Sequence, residues 1–140
     1  MTYSINEVAE KFGISAHTIR FYEKEGVLPF VSRSKSGHRI FTEGDLTLFK
    51  LICCLKDTGM QIKNIKKYID MCMSGTSTIS SRKTMLSEHR ETIIRQMEIL
   101  KENLNLINSK IEIYESPDAV EIVSEMLAHA AEEKNKNKLI

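Results

Sequence analysis

The chain has 140 residues, enough for one compact domain or for a small domain with an extension. Hydrophobic residues make up 41% and charged residues 28%, as in ordinary globular proteins, and no apolar run approaches the ~20 residues that span a membrane. With no signal peptide pattern, a net charge of +1 and three cysteines, we expect a cytoplasmic protein with reduced thiols and no disulfide framework.

The first predicted helix begins at a capping box. Ser4 can accept a hydrogen bond from the backbone N–H of Glu7, while the Glu7 carboxylate reaches back to the N–H of Ser4. One face of this helix is apolar and consists of Ile5, Val8, Ala9 and Phe12. Residues 12–15 then end the helix and begin a second one at an angle, which predicts a helix-turn-helix.

The second predicted helix carries polar groups that suit a DNA groove. Ser15 is a good N-cap for it, and Gly26 can close it. The candidate DNA-contacting residues of this helix are Ser15, His17, Thr18, Arg20 and Tyr22. A short helix of this composition favours recognition of base edges and phosphates, and the alternative is an ordinary surface helix.

A candidate β-hairpin follows the second helix. Two short extended runs, at 31–34 and 38–41, flank a Ser36-Gly37 turn signal. The hairpin is basic, with Arg33, Lys35, His38 and Arg39 as candidate phosphate contacts. This arrangement predicts a wing beside a recognition helix.

The charge distribution supports this prediction only moderately. Residues 1–81 carry 11 Lys and Arg against 8 Asp and Glu, whereas residues 82–140 carry 9 against 11. Positive charge is therefore concentrated in the first half of the chain, but its excess is small. Specific binding would need dimerisation and base or shape readout in addition to counterion release.

Three motifs occur in order in the first half: TIRFYE at 18–23, GVL at 26–28 and GHRIF at 37–41. Together with YSINEVAEKF upstream, they resemble the N-terminal domain of the MerR family of bacterial transcription regulators, over residues 3 to about 70. The resemblance implies that Arg20 and Tyr22 contact DNA from the recognition helix and that Arg39 does so from the wing. His38 and Phe41 stand where the family commonly has tyrosines, and Phe41 keeps the ring without the hydroxyl.

Two further helices complete the predicted head. Thr42 is the N-cap of the third helix, which is apolar over more than half of its circumference and ends at Thr58-Gly59. Gln61 begins the fourth helix. In the resembling family the start of this helix also touches the DNA backbone, and Lys63 is the candidate contact here.

A long dimerisation helix is predicted beyond a small polar linker. The expected domains are a DNA-binding head at 1–73, a linker at 74–81, the dimerisation helix at 82–115, and a C-terminal helix and tail at 116–140. The apolar seam of the long helix consists of Leu86, Ile93, Met97, Leu100, Leu104, Ile107, Ile111 and Tyr114. Because the head is too small to cover a helix of about 50 Å, we expect a homodimeric coiled coil, which the resemblance implies is antiparallel.

The last predicted helix begins after Ser116-Pro117-Asp118, and we expect a frayed tail from Glu132 onwards. This helix is longer than a plain anchor for the dimer requires. It could fold back on the coiled coil or help to close an effector pocket.

The cysteines leave two interpretations open. Residues 73–140 contain none, so the thiolate set of the family's metal sensors is missing, and we expect no metal and no cofactor. Cys54 either is an inert small core residue or senses redox state or electrophiles. Its position five residues before Gly59 resembles that of the reactive cysteine in the thiol-dependent, aldehyde-responsive branch of the family.

The sequence therefore predicts a mainly α protein: a winged helix-turn-helix head with a small β-hairpin wing, plus a long helix that forms an antiparallel coiled coil. The implied function is a homodimeric transcription regulator that binds an inverted-repeat operator in double-stranded DNA and distorts the promoter spacer for RNA polymerase. A small molecule or an electrophile would be the effector. The alternative is a coiled-coil interaction module without specific DNA binding. An enzyme is not expected, because no nucleophile–base pair or phosphate loop is present.

Overall fold

The computed structural model describes residues 1–139, and these form six α-helices, three short strands and one 3-10 turn. In chain order the strands and α-helices are β1 (Thr2–Tyr3), α1 (Ile5–Phe12), α2 (Ala16–Lys24), β2 (Ser32–Arg33), β3 (Arg39–Thr42), α3 (Glu43–Asp57), α4 (Ile62–Met73), α5 (Ile79–Glu115) and α6 (Ala119–Lys136). The mainly helical fold with a small antiparallel sheet agrees with the prediction.

Local capping signals set the helix starts in the head. Ser4 and Glu7 form the predicted capping box, with the Glu7 N–H 3.2 Å from Ser4 Oγ and the Ser4 N–H 3.1 Å from Glu7 Oε1. Thr42 and Asp45 form a second capping box at α3. Each box satisfies two N–H groups that a helix start otherwise leaves unpaired.

Gly26 ends α2, as predicted, because its backbone is left-handed at φ +81°. A side chain there would be strained and also crowded, since an added Cβ would lie 2.9 Å from Lys66 Cε on α4. The chain therefore leaves α2 with a close approach to α4, and Val27 and Leu28 enter the core directly afterwards.

The wing belongs to a three-stranded antiparallel sheet of order β1-β3-β2. The hairpin of β2 and β3 was predicted, with Arg33 facing Arg39 in the register, whereas β1 was not. In β1, Tyr3 pairs with Phe41 of β3, and the Tyr3 hydroxyl donates a hydrogen bond to the Glu43 carboxylate. The first residues of the chain thus tie the base of the wing to α3.

One hydrophobic core holds the head together. Phe49 of α3 is fully buried at its centre, with its ring 4.9 Å from that of Phe12, 6.3 Å from that of Tyr22 and 6.5 Å from that of Phe41. These rings belong to α1, α2 and β3, so a single residue of α3 fixes both the helix-turn-helix and the wing. The other fully buried large side chains are Val8, Ile19, Val27, Phe41, Ile52, Ile65 and Ile69.

The segment predicted as a linker is shorter and more ordered than expected. A single 3-10 turn covers Thr76–Thr78, and α5 begins at Ile79 rather than at residue 82. Arg82 donates to Thr78 Oγ1 at 3.0 Å and to the Gly75 carbonyl at 2.6 Å. These hydrogen bonds tie the start of α5 to the connection.

Two compact units are present, at residues 1–93 and 94–140, so the head unit extends beyond residue 73. Leu86 is half-buried against the head's core rather than standing free in a coiled-coil seam. In the second unit, α6 continues to Lys136, so the expectation of a tail frayed from Glu132 is wrong.

Among residues 1–139, none of the helices combines the length and the apolar character needed to span a membrane.

Candidate nucleic-acid interface

The N-terminal half of α2 presents polar side chains at the surface. Ser15 caps the helix, with its Oγ 3.1 Å from the Thr18 N–H and 2.9 Å from Thr18 Oγ1. His17 and Arg20 are exposed. Within residues 1–139 the Arg20 guanidinium has no hydrogen bond or ion pair, so its five donors are available to a partner.

The tip of the wing is a tight turn built by serines. The Ser34 N–H donates to the His38 carbonyl at 2.7 Å, and the Gly37 N–H donates to the Ser34 carbonyl at 2.9 Å. Ser36 Oγ lies 2.9 Å from His38 Nδ1. The turn exposes Lys35 and His38.

A carboxylate that the sequence analysis overlooked joins the wing to α2. Glu23 Oε1 accepts hydrogen bonds from Arg39 Nη2 at 2.7 Å, from Arg39 Nε at 3.0 Å and from Arg33 Nη2 at 2.9 Å. Arg33 Nη1 also donates to the Gly37 carbonyl at 2.9 Å. The only available signal was an acidic residue between two basic segments of the predicted interface.

Two predicted DNA contacts prove to be core residues. Phe41 is fully buried against Phe49 and exposes no surface to a partner in this conformation, so a contact of Phe41 with DNA stays a prediction. Tyr22 is only 8% exposed and packs against the same ring, and burial raises the pKa of its hydroxyl. Their rings position α2 and β3 in the head by packing on Phe49.

Lys63 lies exposed in the first turn of α4, where the N-cap Gln61 makes no side-chain hydrogen bond to the helix. The Asn64 N–H donates to the Gln61 carbonyl at 2.9 Å, so among the described residues the Ile62 and Lys63 N–H groups are the ones at this helix start that are open to a partner. The helix dipole adds positive potential there. Beside it an open cleft of about 570 Å³ extends between α4 and the start of α5. Its lining includes Lys63, Lys67, Met85 and His89.

The three cysteines differ in their surroundings. Cys54 is exposed, whereas Cys53 and Cys72 are half-buried. Burial, together with the nearby Asp57 and Cys54, raises the pKa of the Cys53 thiol to about 11. Cys53 is therefore a poor nucleophile at neutral pH, because only the thiolate attacks electrophiles.

A hydrogen-bonded path leads from the Cys54 backbone to α5. Thr58 Oγ1 donates to the Cys54 carbonyl at 2.7 Å and lies 2.7 Å from Nε2 of His89 on α5. The donor in the second bond is either Thr58 Oγ1 or His89 Nε2, depending on the imidazole tautomer. His89, which looked isolated in the sequence, thus joins the end of α3 to α5.

The predicted seam of the second unit is uncovered. The exposed fractions of its residues are 62% for Met97, 66% for Leu100, 55% for Leu104, 56% for Ile107, 44% for Ile111 and 64% for Tyr114. Ile99 and Leu106, which lie off the seam, are also more than half exposed. An apolar surface of this extent on a monomer marks an interaction site.

The profile of the MerR HTH family regulatory proteins matches residues 3–72. An uncharacterised HTH-type transcriptional regulator of Haemophilus influenzae is 41% identical over 120 residues, which cover 86% of this chain and 89% of that protein. The HTH-type transcriptional regulator AdhR of Bacillus subtilis is 34% identical over 91 residues, 65% of each chain.

A solved structure extends the likeness to three dimensions. HiNmlR, described as a MerR family regulator lacking the sensor domain and bound to promoter DNA, is 41% identical. It superposes with a TM-score of 0.77 over 85% of this chain and 94% of its own. The chain therefore belongs to the MerR family of helix-turn-helix regulatory proteins.

Proposed function

We propose that this chain is a homodimeric transcription regulator that binds an inverted-repeat operator in promoter DNA. The observation that carries the proposal is the arrangement of α2 and the wing. The Arg20 guanidinium on α2 makes no hydrogen bond or ion pair among residues 1–139, while Glu23 of α2 binds Arg33 and Arg39 of the wing. The promoter DNA in the HiNmlR structure supports the same partner for this chain. A partner of this kind implies a place in the cytoplasm.

In this proposal α2 is the recognition helix of a DNA-binding head at residues 1–73. Arg20 reads a base edge in the major groove, while Ser15, His17 and Thr18 contact the adjoining backbone or base edges. The wing adds phosphate contacts through Lys35 and His38, and α4 adds one through Lys63 and its free N–H groups.

The second half of the long helix supplies the dimer. Its exposed Met, Leu and Ile side chains would be covered by the same helix of a second chain, running antiparallel. Each head then binds one half of an inverted repeat, since operator symmetry mirrors the two-fold axis of the dimer.

Regulation in this proposal operates through the shape of the promoter. The dimer twists or kinks the spacer so that RNA polymerase engages both promoter elements. Such deformations cost about 1–6 kcal/mol, which extra contacts in the bent state can offset. The family match and the promoter DNA bound by HiNmlR favour this function over a protein-interaction module.

Arg20→Ala tests the interface. Loss of a guanidinium that reads a base edge should weaken operator binding by about 1–3 kcal/mol and relax the preference at that base pair. Arg20→Lys is the matched control, since it keeps the charge but loses the planar fork, and should retain non-specific binding while losing specificity. Fluorescence anisotropy over a salt series measures both. Unchanged affinity in both variants would remove Arg20 from the interface.

We further propose that Cys54 receives the effector and that the effector is an aldehyde or a thiol oxidant. Of the three cysteines, Cys54 is the one whose thiol is exposed. The 34% identity with AdhR supports the assignment to the thiol-dependent, aldehyde-responsive branch of the family. A modified Cys54 would displace the end of α3, and the bonds from its carbonyl through Thr58 to His89 would carry the shift to α5. The adduct adds volume and polarity at the exposed end of α3, and a small displacement of that end is enough when two head orientations are nearly balanced.

A further inference from the structure

One carboxylate oxygen holds two wing arginines. Glu23 Oε1 accepts three hydrogen bonds of 2.7–3.0 Å, two from Arg39 and one from Arg33. The side chains of Glu23, Arg39 and Arg33 are 24%, 19% and 49% exposed. The three residues form a partly desolvated cluster with a net charge of +1, in which each hydrogen bond is charge-assisted.

The base of the hairpin is anchored by the buried Phe41 and by its pairing with β1, but the tip of the hairpin has no such anchor. None of residues 32–40 is buried, so no side chain of the tip is anchored in the core. By contrast, α2 is fixed there through Ile19 and Tyr22. Glu23 lies on the fixed element and its two partners lie on the hairpin, so this cluster is a polar tie that holds the unburied part of the wing at one angle to α2.

We propose that Glu23 is a positioning residue that lowers the affinity for non-specific DNA and raises the sequence specificity of binding. Bound to Glu23, the arginines cannot fully neutralise phosphates, which lowers the sequence-independent part of binding. The same bonds hold the wing at one angle to α2, so the phosphate contacts and the base contacts are made in a single register. This inference rests on the proposed DNA-binding function.

Arg33 and Arg39 differ within the cluster. Arg39 is the more buried and gives two donors to Glu23, whereas Arg33 is half exposed and shares its donors between Glu23 and the Gly37 carbonyl. Arg39 is therefore the stronger partner of Glu23, and the phosphate contact that the sequence predicted for it stays a prediction. Arg33 keeps enough exposure to reach a phosphate as well.

Glu23→Gln tests the proposal, and Glu25→Gln is its matched control. The control makes the same charge change two residues further along, at the exposed C-cap of α2, where the Glu25 side chain has no partner among residues 1–139. Binding is measured by anisotropy over a salt series on two duplexes: an operator selected from random DNA by the unmodified protein, and its scrambled version. In Glu23→Gln, the released arginines should steepen the salt slope on scrambled DNA by about 1–2, since each neutralised phosphate adds about 0.9.

The ratio of specific to non-specific affinity should fall about tenfold in Glu23→Gln, as for one misread base pair, and by less than twofold in Glu25→Gln. A ratio and slope that match the control would overturn the proposal. Parallel weakening on both duplexes with an unchanged slope would also overturn it and leave a purely structural role. If the unmodified protein prefers no duplex at all, the DNA-binding function fails instead.

Hydrogen exchange in the free protein supplies a second readout that does not depend on DNA. The Ser34 N–H, bonded to the His38 carbonyl at 2.7 Å, should exchange faster in Glu23→Gln and faster still in Glu23→Ala. The amides of α3 should be unchanged in both variants. Equal protection of Ser34 in the variants and the unmodified protein would show that Glu23 does not hold the wing.

Discussion

Leu104→Asp should leave the protein without a stable dimer and without operator binding. Leu104 lies in the middle of the exposed seam and is 55% exposed in the single chain. In a dimer it would be covered, and a buried carboxylate without a partner costs several kcal/mol. Sedimentation velocity at low micromolar concentration should show monomer, and anisotropy should show loss of binding to the paired half-sites.

Asn105→Asp is the matched control for this variant. It adds the same charge at the neighbouring residue, which lies on the outer face of the helix relative to the seam, and should remain dimeric. A Leu104→Asp protein that is still dimeric would place the interface elsewhere. The exposed apolar residues Ile99 and Leu106 would then be the next surface to alter.

Cys54→Ala should bind the operator normally but lose its transcriptional response to aldehydes and thiol oxidants. The thiol is on the surface of α3, so its removal leaves the core intact, whereas the response needs a nucleophile at that position. Reporter transcription with and without the electrophile measures the response. Cys72→Ala is the matched control and should respond as the unmodified protein does.

Limited alkylation followed by mass spectrometry tests the same claim chemically. At pH 8, Cys54 should label first because it is exposed, while Cys53, with a pKa raised to about 11, is almost entirely in the unreactive thiol form. Labelling of Cys53 should increase only as the pH rises towards 11. If Cys54 labels no faster than Cys72, or if Cys54→Ala still responds, a non-covalent ligand becomes the better explanation of the switch.

The parts of the fold that local chemistry determines could be predicted from the sequence. The capping box of Ser4 and Glu7, the N-caps Ser15 and Thr42 and the helix end at Gly26 all involve residues within a few positions of each other. The apolar periodicity of the long helix is also a local pattern. Each of these signals is strong because the residue and the backbone group it satisfies are neighbours in sequence.

The parts that depend on distant residues could not be predicted in this way. Phe21 and Tyr22 are adjacent aromatic residues on α2, and only the packing of Phe49 decides that Tyr22 is buried while Phe21 is 45% exposed. Glu23 finds its partners 10 and 16 residues away, across a turn whose angle no local pattern sets. The two-residue strand β1 is too short for any alternation of polar and apolar residues to indicate it.

The central claim is that the chain is a dimer that binds an inverted-repeat operator. The most direct test is to let the purified full chain select its binding sites from random double-stranded DNA. A dimer with one recognition helix and one wing in each half should enrich an inverted repeat, whose two half-sites are related by the same two-fold axis as the protein. Recovery of such a repeat, bound with one dimer per duplex, is the predicted result. Enrichment of unpaired single sites, or no enrichment above the starting pool, would contradict the account.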